Sequence, residues 1–257
     1  MKDWYQRYYT AIQYSEAYSE FCRRVFGRSL GQHGFADITQ VNQLADALQI
    51  RSSERLLDIG CGSGGITAHI AEQSRADSTG IDYDDIAIAV AQRRESGPKV
   101  HFAVADIGAL CFAAHSFDVV VAIDSLYFTP IDETVASIAR ILTIDGRMGV
   151  LYSHGANPQD PLPGFDRRTL APERTPLGVA LKSQELSYTV HDLTEADRRH
   201  ALVKKAVLEE LENDFIIEGN EFLYQNRYGE ALGVLAAIDA GAHARYLYIA
   251  TKSGDKP

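Results

Sequence analysis

Cysteine is scarce in this chain. Three residues in 257, Cys22, Cys61 and Cys111, are widely separated and odd in number. That fits neither a disulfide framework nor a zinc site, and no metal is expected. No run of about 18 uninterrupted apolar residues occurs, so no segment is expected to span a bilayer. The opening MKDWYQRYYT carries charges and aromatics where a signal peptide needs an apolar stretch, which makes a cytoplasmic location the expectation. Basic charge is also in deficit. Lys and Arg number 25 against 35 Asp and Glu, a net charge of −10. An anionic polymer or membrane surface would be repelled at long range, so neither is an expected partner. Repeats and low-complexity tracts are absent. With 46% apolar and 23% charged residues the chain is of ordinary globular composition. At this length folding buries roughly three quarters of the unfolded surface, enough for a core without staples.

Tyrosine-rich residues 3–26 read as helix, followed by a glycine-broken turn over 27–34. A second helix starts near Asp37, an N-cap candidate. From residue 55 short apolar runs alternate with amphipathic segments. Strands are expected at 55–59, 77–82, 100–105, 117–124 and 147–153, with helices at 66–73, 84–94 and 131–142 between them. Near-continuous apolar strands alternating with helices imply βαβ units and a parallel sheet covered on both faces, an α/β doubly wound fold. Residues 155–186 hold five of the eight prolines and read as an inserted loop or lid. A strand at 187–193, helices at 195–211 and 218–238, and a closing strand at 244–251 follow. Residues 1–36 would form a helical lid and 37–257 the main domain.

The sharpest signal is LLDIGCGSGG, residues 56–65. Gly60, Gly62 and Gly65 satisfy GxGxxG between a strand and a helix, where glycine lets a ligand lie against the backbone. The helix start offers free N–H groups to a carboxylate or phosphate. Asp82 ends the second strand, 20 residues beyond Gly62, where an acid binds ribose hydroxyls. Asp58, just before the first glycine, suits a ligand with an ammonium group better than a pyrophosphate.

This segment resembles the first motif of class I S-adenosylmethionine-dependent methyltransferases of the small-molecule type. Later landmarks follow in the family's order: Asp82 in GIDY, Asp106 in VADI, and Asp124 in VVAIDSLY. ARYLYIAT resembles the family's last strand. The resemblance implies a mostly parallel, seven-stranded, Rossmann-like sheet with an antiparallel last strand, and S-adenosylmethionine as cofactor. It implies that Asp58 faces the methionine ammonium and that Gly60, Cys61 and Gly62 cradle the methionine and ribose. Asp82 would accept the ribose hydroxyls, Tyr83 would flank the adenine, and Asp106 with the Ile107 N–H would bind its edge. Asp124 and Ser125 would line the methyl-transfer mouth.

Acceptor candidates are spread along the chain. Tyr5 and Tyr9 share a helical face and could cover the cofactor, where aromatic faces would stabilise a cation; packing alone explains the other tyrosines. His33, in a glycine-bounded turn, and His154, after the fifth strand, are the candidate bases. Either could equally be structural. Tyr127, Phe128 and Tyr152 stand at strand ends where ligands bind, and Asn220 and Tyr224 lie on a late helix. Acidic and aromatic candidates, Asp124 and Glu221 among them, tilt the expectation toward methyl transfer to the nitrogen of a small amine. Transfer to oxygen or carbon of a small aromatic metabolite remains open. So do a nicotinamide-dependent oxidoreductase and a protein that binds the adenosyl cofactor without turnover.

Overall fold

The computed structural model describes residues 2–94, 97, 99–155 and 164–253. Seven strands form one sheet in the order β3-β2-β1-β4-β5-β7-β6. They are β1 (Arg55–Ile59), β2 (Asp77–Asp82), β3 (Val100–Val104), β4 (Phe117–Ile123), β5 (Leu142–Gly155), β6 (Ser187–Asp192) and β7 (His243–Thr251). The first five are parallel, and β7 runs antiparallel between β5 and β6. The sheet expected from the sequence is the one observed.

The nine α-helices among the described residues are α1 (Lys2–Ala11), α2 (Glu16–Phe26), α3 (Ile38–Leu48), α4 (Gly65–Ser74), α5 (Asp85–Gln92), α6 (Ile131–Ile141), α7 (Pro176–Ser183), α8 (Thr194–Ile217) and α9 (Glu221–Asp239). Period-two alternation divides the strands between two cores. Leu57, Val120, Ala122 and Val150 face α6 and α7, meeting Ile138 and Leu181. Leu56, Val119, Val121 and Leu151 face the other way, with Val41, Leu44 and Leu48 of α3. A third cluster lies away from the sheet. There Tyr18, Phe21 and Phe26 of α2 pack on Leu208 and Phe215 of α8. The N-terminal helices thus join the long β6–β7 connection in one helical layer.

Two local readings change. The helix expected over 3–26 is two helices, because Ser15 caps α2 by accepting the Tyr18 N–H. Asp37 caps α3 as expected, accepting from the Gln40 N–H at 2.8 Å. Within 155–186, residues 156–163, with Pro158, Pro161 and Pro163, lie outside the described residues. The part from Pro176 is no loop: Thr175 caps α7, and Leu177, Ala180 and Leu181 are fully buried against the sheet.

Candidate active site

Between β1 and β4 the strand order reverses, the point where doubly wound sheets bind ligands. The glycine loop leaves β1 there. Gly60 and Cys61 N–H groups both donate to the Ile81 carbonyl, at 2.8 and 2.9 Å. Asp82 at the end of β2 then grips the loop. One carboxylate oxygen accepts the Gly62 N–H at 2.9 Å and the other the Asp84 N–H at 3.0 Å. Burial raises the Asp82 pKa. Gly62 has φ +54°, and a Cβ on it would stand 2.6 Å from the Tyr9 hydroxyl. A side chain there would be both strained and crowded.

Opposite the loop runs a strap, residues 30–36, held by its backbone from several sides. The Leu30 carbonyl accepts from Arg94 Nη2 at 2.8 Å, while Arg94 Nε donates to the Ser63 carbonyl at 2.6 Å. Gly65 leaves the space that the Leu30 carbonyl fills. The Gln32 carbonyl lies within 3.1 Å of the Tyr8 and Tyr18 hydroxyls, and the His33 carbonyl accepts from Arg227 Nη1 at 2.6 Å. Phe35 and Ala36 N–H groups donate to Asp124 at 2.7 and 3.2 Å. Loop and strap enclose a pocket, which Tyr5 and Tyr9 of α1 cover and Ser125 and Phe128 close from the β4 side.

Two polar atoms on this wall have no hydrogen-bond partner among the described residues: Asp84 Oδ2 and His33 Nε2. Asp84 spends its other oxygen capping α5, accepting the Ile86 and Ala87 N–H groups. The His33 ring lies edge-on to Trp4, Tyr5 and Tyr8, with centroids 4.9–5.2 Å apart. Burial, then the charges of Arg227 and Lys204, hold its pKa well below the ordinary 6.5. The imidazole is neutral at pH 7, and its protonated form is disfavoured. Burial also pushes the Tyr5 hydroxyl up to about 12.

The pocket gathers Tyr5, Tyr9, His33, Gly60, Cys61, Gly62, Asp82, Tyr83, Ile107, Asp124 and Ser125, as the sequence suggested. Several of these are used differently from expectation. Asp124, at φ +53°, forms a buried ion pair with Arg245, Nη1–Oδ1 2.7 Å and Nη2–Oδ2 3.1 Å. With the strap amides also bound to it, this carboxylate is an anchor for the strap. Ser125 donates to the Ile59 carbonyl at 2.6 Å. Asp58 lies behind the wall, 2% exposed, and accepts from the Thr67 hydroxyl at 2.5 Å. Burial raises its pKa to about 6.

Other candidates lie elsewhere. Asp106 is exposed and closes a local turn by accepting the Gly108 N–H at 2.8 Å. It borders an adjoining groove that also includes Tyr83, Ile107, Tyr127 and Phe128. Tyr152 packs between Tyr127 and His154. His154 is buried among β-sheet tyrosines, 3.0 Å from the Tyr248 hydroxyl, with burial lowering its pKa to about 4. It faces the α7 side and does not line the pocket. Tyr224 is buried in the α2–α8 cluster, and Asn220 borders a surface depression beside Gln6 and Arg7. Glu221 is exposed at the start of α9 and does not line the pocket.

Sequence reasoning missed Asp84, Arg94, Arg227 and Arg245. Asp84 had a usable signal, an acid capping the helix after the second strand. The arginines had none, because the loop and strap groups they hold, on Leu30, His33, Ser63 and Asp124, are 31 to 194 residues away.

Residues 56–146 match the methyltransferase domain family. Phosphoethanolamine N-methyltransferase 3 of Arabidopsis thaliana is 31% identical over 124 residues, 48% of this chain and 25% of that protein. The 27-O-demethylrifamycin SV methyltransferase of Amycolatopsis mediterranei is 29% identical over 150 residues, 52% of this chain and 55% of its own length. Among solved structures, Haemonchus contortus phosphoethanolamine N-methyltransferase 2, in complex with phosphomonomethylethanolamine and S-adenosylhomocysteine, superposes with a TM-score of 0.77. That match has 19% identity and covers 97% of this chain and 60% of the other. The Mycobacterium tuberculosis cyclopropane synthase MmaA2 gives a TM-score of 0.73 at 16% identity, covering 96% and 98%. Residues 56–146 thus carry a methyltransferase domain, and the chain as a whole has the fold of these solved structures. It spans less than two thirds of the length of the plant, actinobacterial and nematode proteins named above.

Proposed function

We propose that this protein transfers the methyl group of S-adenosylmethionine to a small-molecule acceptor, and that the acceptor atom is an amine nitrogen. The observation that carries the cofactor reading is the Asp82 clamp on the glycine loop, beside Asp84, a pocket-lining residue whose buried Oδ2 has no hydrogen-bond partner among the described residues. A buried acceptor without a donor costs about 1–3 kcal/mol, which ribose hydroxyls would relieve. Asp82 and Asp84 would hold the ribose, the Gly60–Gly62 backbone the methionine end, and Tyr83 with Ile107 the adenine. Asp58 would act on the methionine ammonium from behind the loop. When bound, the cofactor supplies an electrophilic methyl group, and the protein's part is alignment and exclusion of water.

The acceptor would lie under α1, where Tyr5, Tyr9 and Phe128 offer aromatic faces worth about 0.5–2 kcal/mol each to a cation. The likeness to phosphoethanolamine N-methyltransferases points the same way. His33 would shape the acceptor wall; its low basicity does not suit a proton acceptor. Residues 1–36 would act as the lid, and a small molecule, not a polymer, as the partner.

Calorimetry with S-adenosylhomocysteine and, separately, NADH tests the cofactor reading. Binding of the first alone is expected, and binding of NADH alone overturns it. Radiolabelled methyl transfer onto panels of small amines, phenols and alkenes tests the acceptor. Label on phenols or alkenes but no amine overturns the nitrogen assignment. Binding without transfer to any panel supports a binding protein.

A further inference from the structure

Arg227 is fully buried on α9, although nothing in the cofactor reading requires it there. Its Nη1 donates to the His33 carbonyl at 2.6 Å and to Glu230 Oε2 at 2.9 Å. Lys204 of α8, also buried, takes the same Glu230 oxygen at 2.8 Å. Two buried cations therefore share one carboxylate. Arg227 Nε and Nη2 have no hydrogen-bond partner among the described residues, and the guanidinium lies 5.6 Å over the Tyr8 ring. Such an arrangement is poor at stabilising a fold, since apolar residues of similar volume commonly do as well or better. Its return must be sought in what Arg227 touches. That contact is the main chain of the strap residue whose imidazole sits on the pocket wall with an unpartnered Nε2.

The neighbouring strap positions are fixed by other means: Gln32 by the Tyr8 and Tyr18 hydroxyls, Phe35 and Ala36 by Asp124. Gly34 lies between them, packed so closely on the Asp124 side chain that a Cβ there would stand 2.7 Å from its carboxylate. Arg227 supplies the one hydrogen bond to the His33 carbonyl among the described residues. We propose that Arg227 is a positioning residue, which from α9 holds the His33 backbone so that the imidazole stays among Trp4, Tyr5 and Tyr8 and completes the pocket wall. The proposal rests on the methyltransferase reading of the pocket. It makes the β6–β7 connection part of the acceptor site. Glu230 orients the guanidinium. Lys204 and Arg227 together keep the neighbourhood of His33 electropositive and the imidazole neutral.

The test follows the ring protons of His33 by NMR in the full chain labelled at histidine, assigned by their loss in His33→Gln. Three flanking rings should displace these signals from free-histidine positions. In Arg227→Met the His33 signals should move toward free-histidine positions by more than their line width. His69 and His154 should stay in place, and S-adenosylhomocysteine affinity should change less than threefold. Arg227→Lys keeps the buried charge on a shorter side chain and should move the signals part of the way. If Arg227→Met does not fold, Arg227→Lys decides alone. Wild-type His33 signals in whichever variants fold overturn the proposal. Failure of the wild-type protein to bind S-adenosylhomocysteine overturns the cofactor reading instead, independently of where the His33 signals lie.

Discussion

A carboxylate at the edge of a cofactor loop can touch the ligand or hold the loop, and Asp58, Asp82 and Asp106 divide these tasks. Asp82 has both oxygens on loop and helix-start amides, so Asp82→Ala should loosen the loop as well as lose ligand contacts. Hydrogen bonds to a charged group are worth about 1.5–3 kcal/mol each. S-adenosylhomocysteine affinity should fall at least tenfold further in Asp82→Ala than in Asp106→Ala, whose carboxylate is exposed on a local turn. Equal losses by calorimetry would refute that division. Asp58 titrates near 6 because burial opposes its charge. Its folded pKa lies above its unfolded value, so its contribution is fully present at low pH and is lost as pH rises through about 6. Asp58→Asn should accordingly stabilise the ligand-free protein at pH 8, by up to about 3 kcal/mol, and do nothing favourable at pH 4. Urea midpoints at the two pH values check the sign.

The N-terminal helices have different duties despite their common aromatic texture. In α2, Phe21 and Phe26 are fully buried against α8 and each other. Phe21→Ala should cost about 3–5 kcal/mol, as large aromatic truncations in a core do. Tyr5 of α1 is only half-buried and borders the pocket. Tyr5→Ala should cost much less stability and act mainly on ligand affinity. Denaturation and calorimetry on the two variants separate core from cover; a stability loss in Tyr5→Ala matching that of Phe21→Ala would make α1 core as well. The strap between α2 and α3 is no hinge. The backbone around Gly31 and Gly34 is fastened by Arg94, Arg227, Asp124 and two tyrosines.

Acid sensitivity is a property of the whole molecule. His154 and His200 are buried with pKa values near 4, and His33 is held well below 6.5. Above pH 6.5 these rings are neutral whether folded or unfolded. As pH falls below that, the unfolded chain takes protons first, and stability is lost toward the folded pKa values. His154 and His200 each contribute a slope of about 1.4 kcal/mol per pH unit between pH 6 and 4, Asp58 opposes one of them, and His33 adds to the fall. The urea midpoint should fall steeply over that interval, and His154→Gln should flatten it. A midpoint unchanged from pH 7.5 to 4.5 would contradict the buried neutral assignments.

Local spacing alone determined the alternation of strands and helices, the glycine loop, Asp82 at the end of the second strand and the Asp37 cap. Each is a relation among residues a few positions apart, or one strand and one helix apart, and hydrophobic period and turn chemistry express such relations directly. Only the tertiary structure decided which acids and histidines face the pocket. His33 and His154 have similar sequence credentials, but His154 falls on the strand face turned to α7, where Tyr248 receives it. Asp124 stands where a ligand carboxylate was expected, and Arg245, 121 residues away, claims it for the strap. Arg227 reaches His33 across 194 residues. A buried charge takes its role from the partner that neutralises or orients it, and that partner is chosen by packing, over separations that spacing in the chain does not encode.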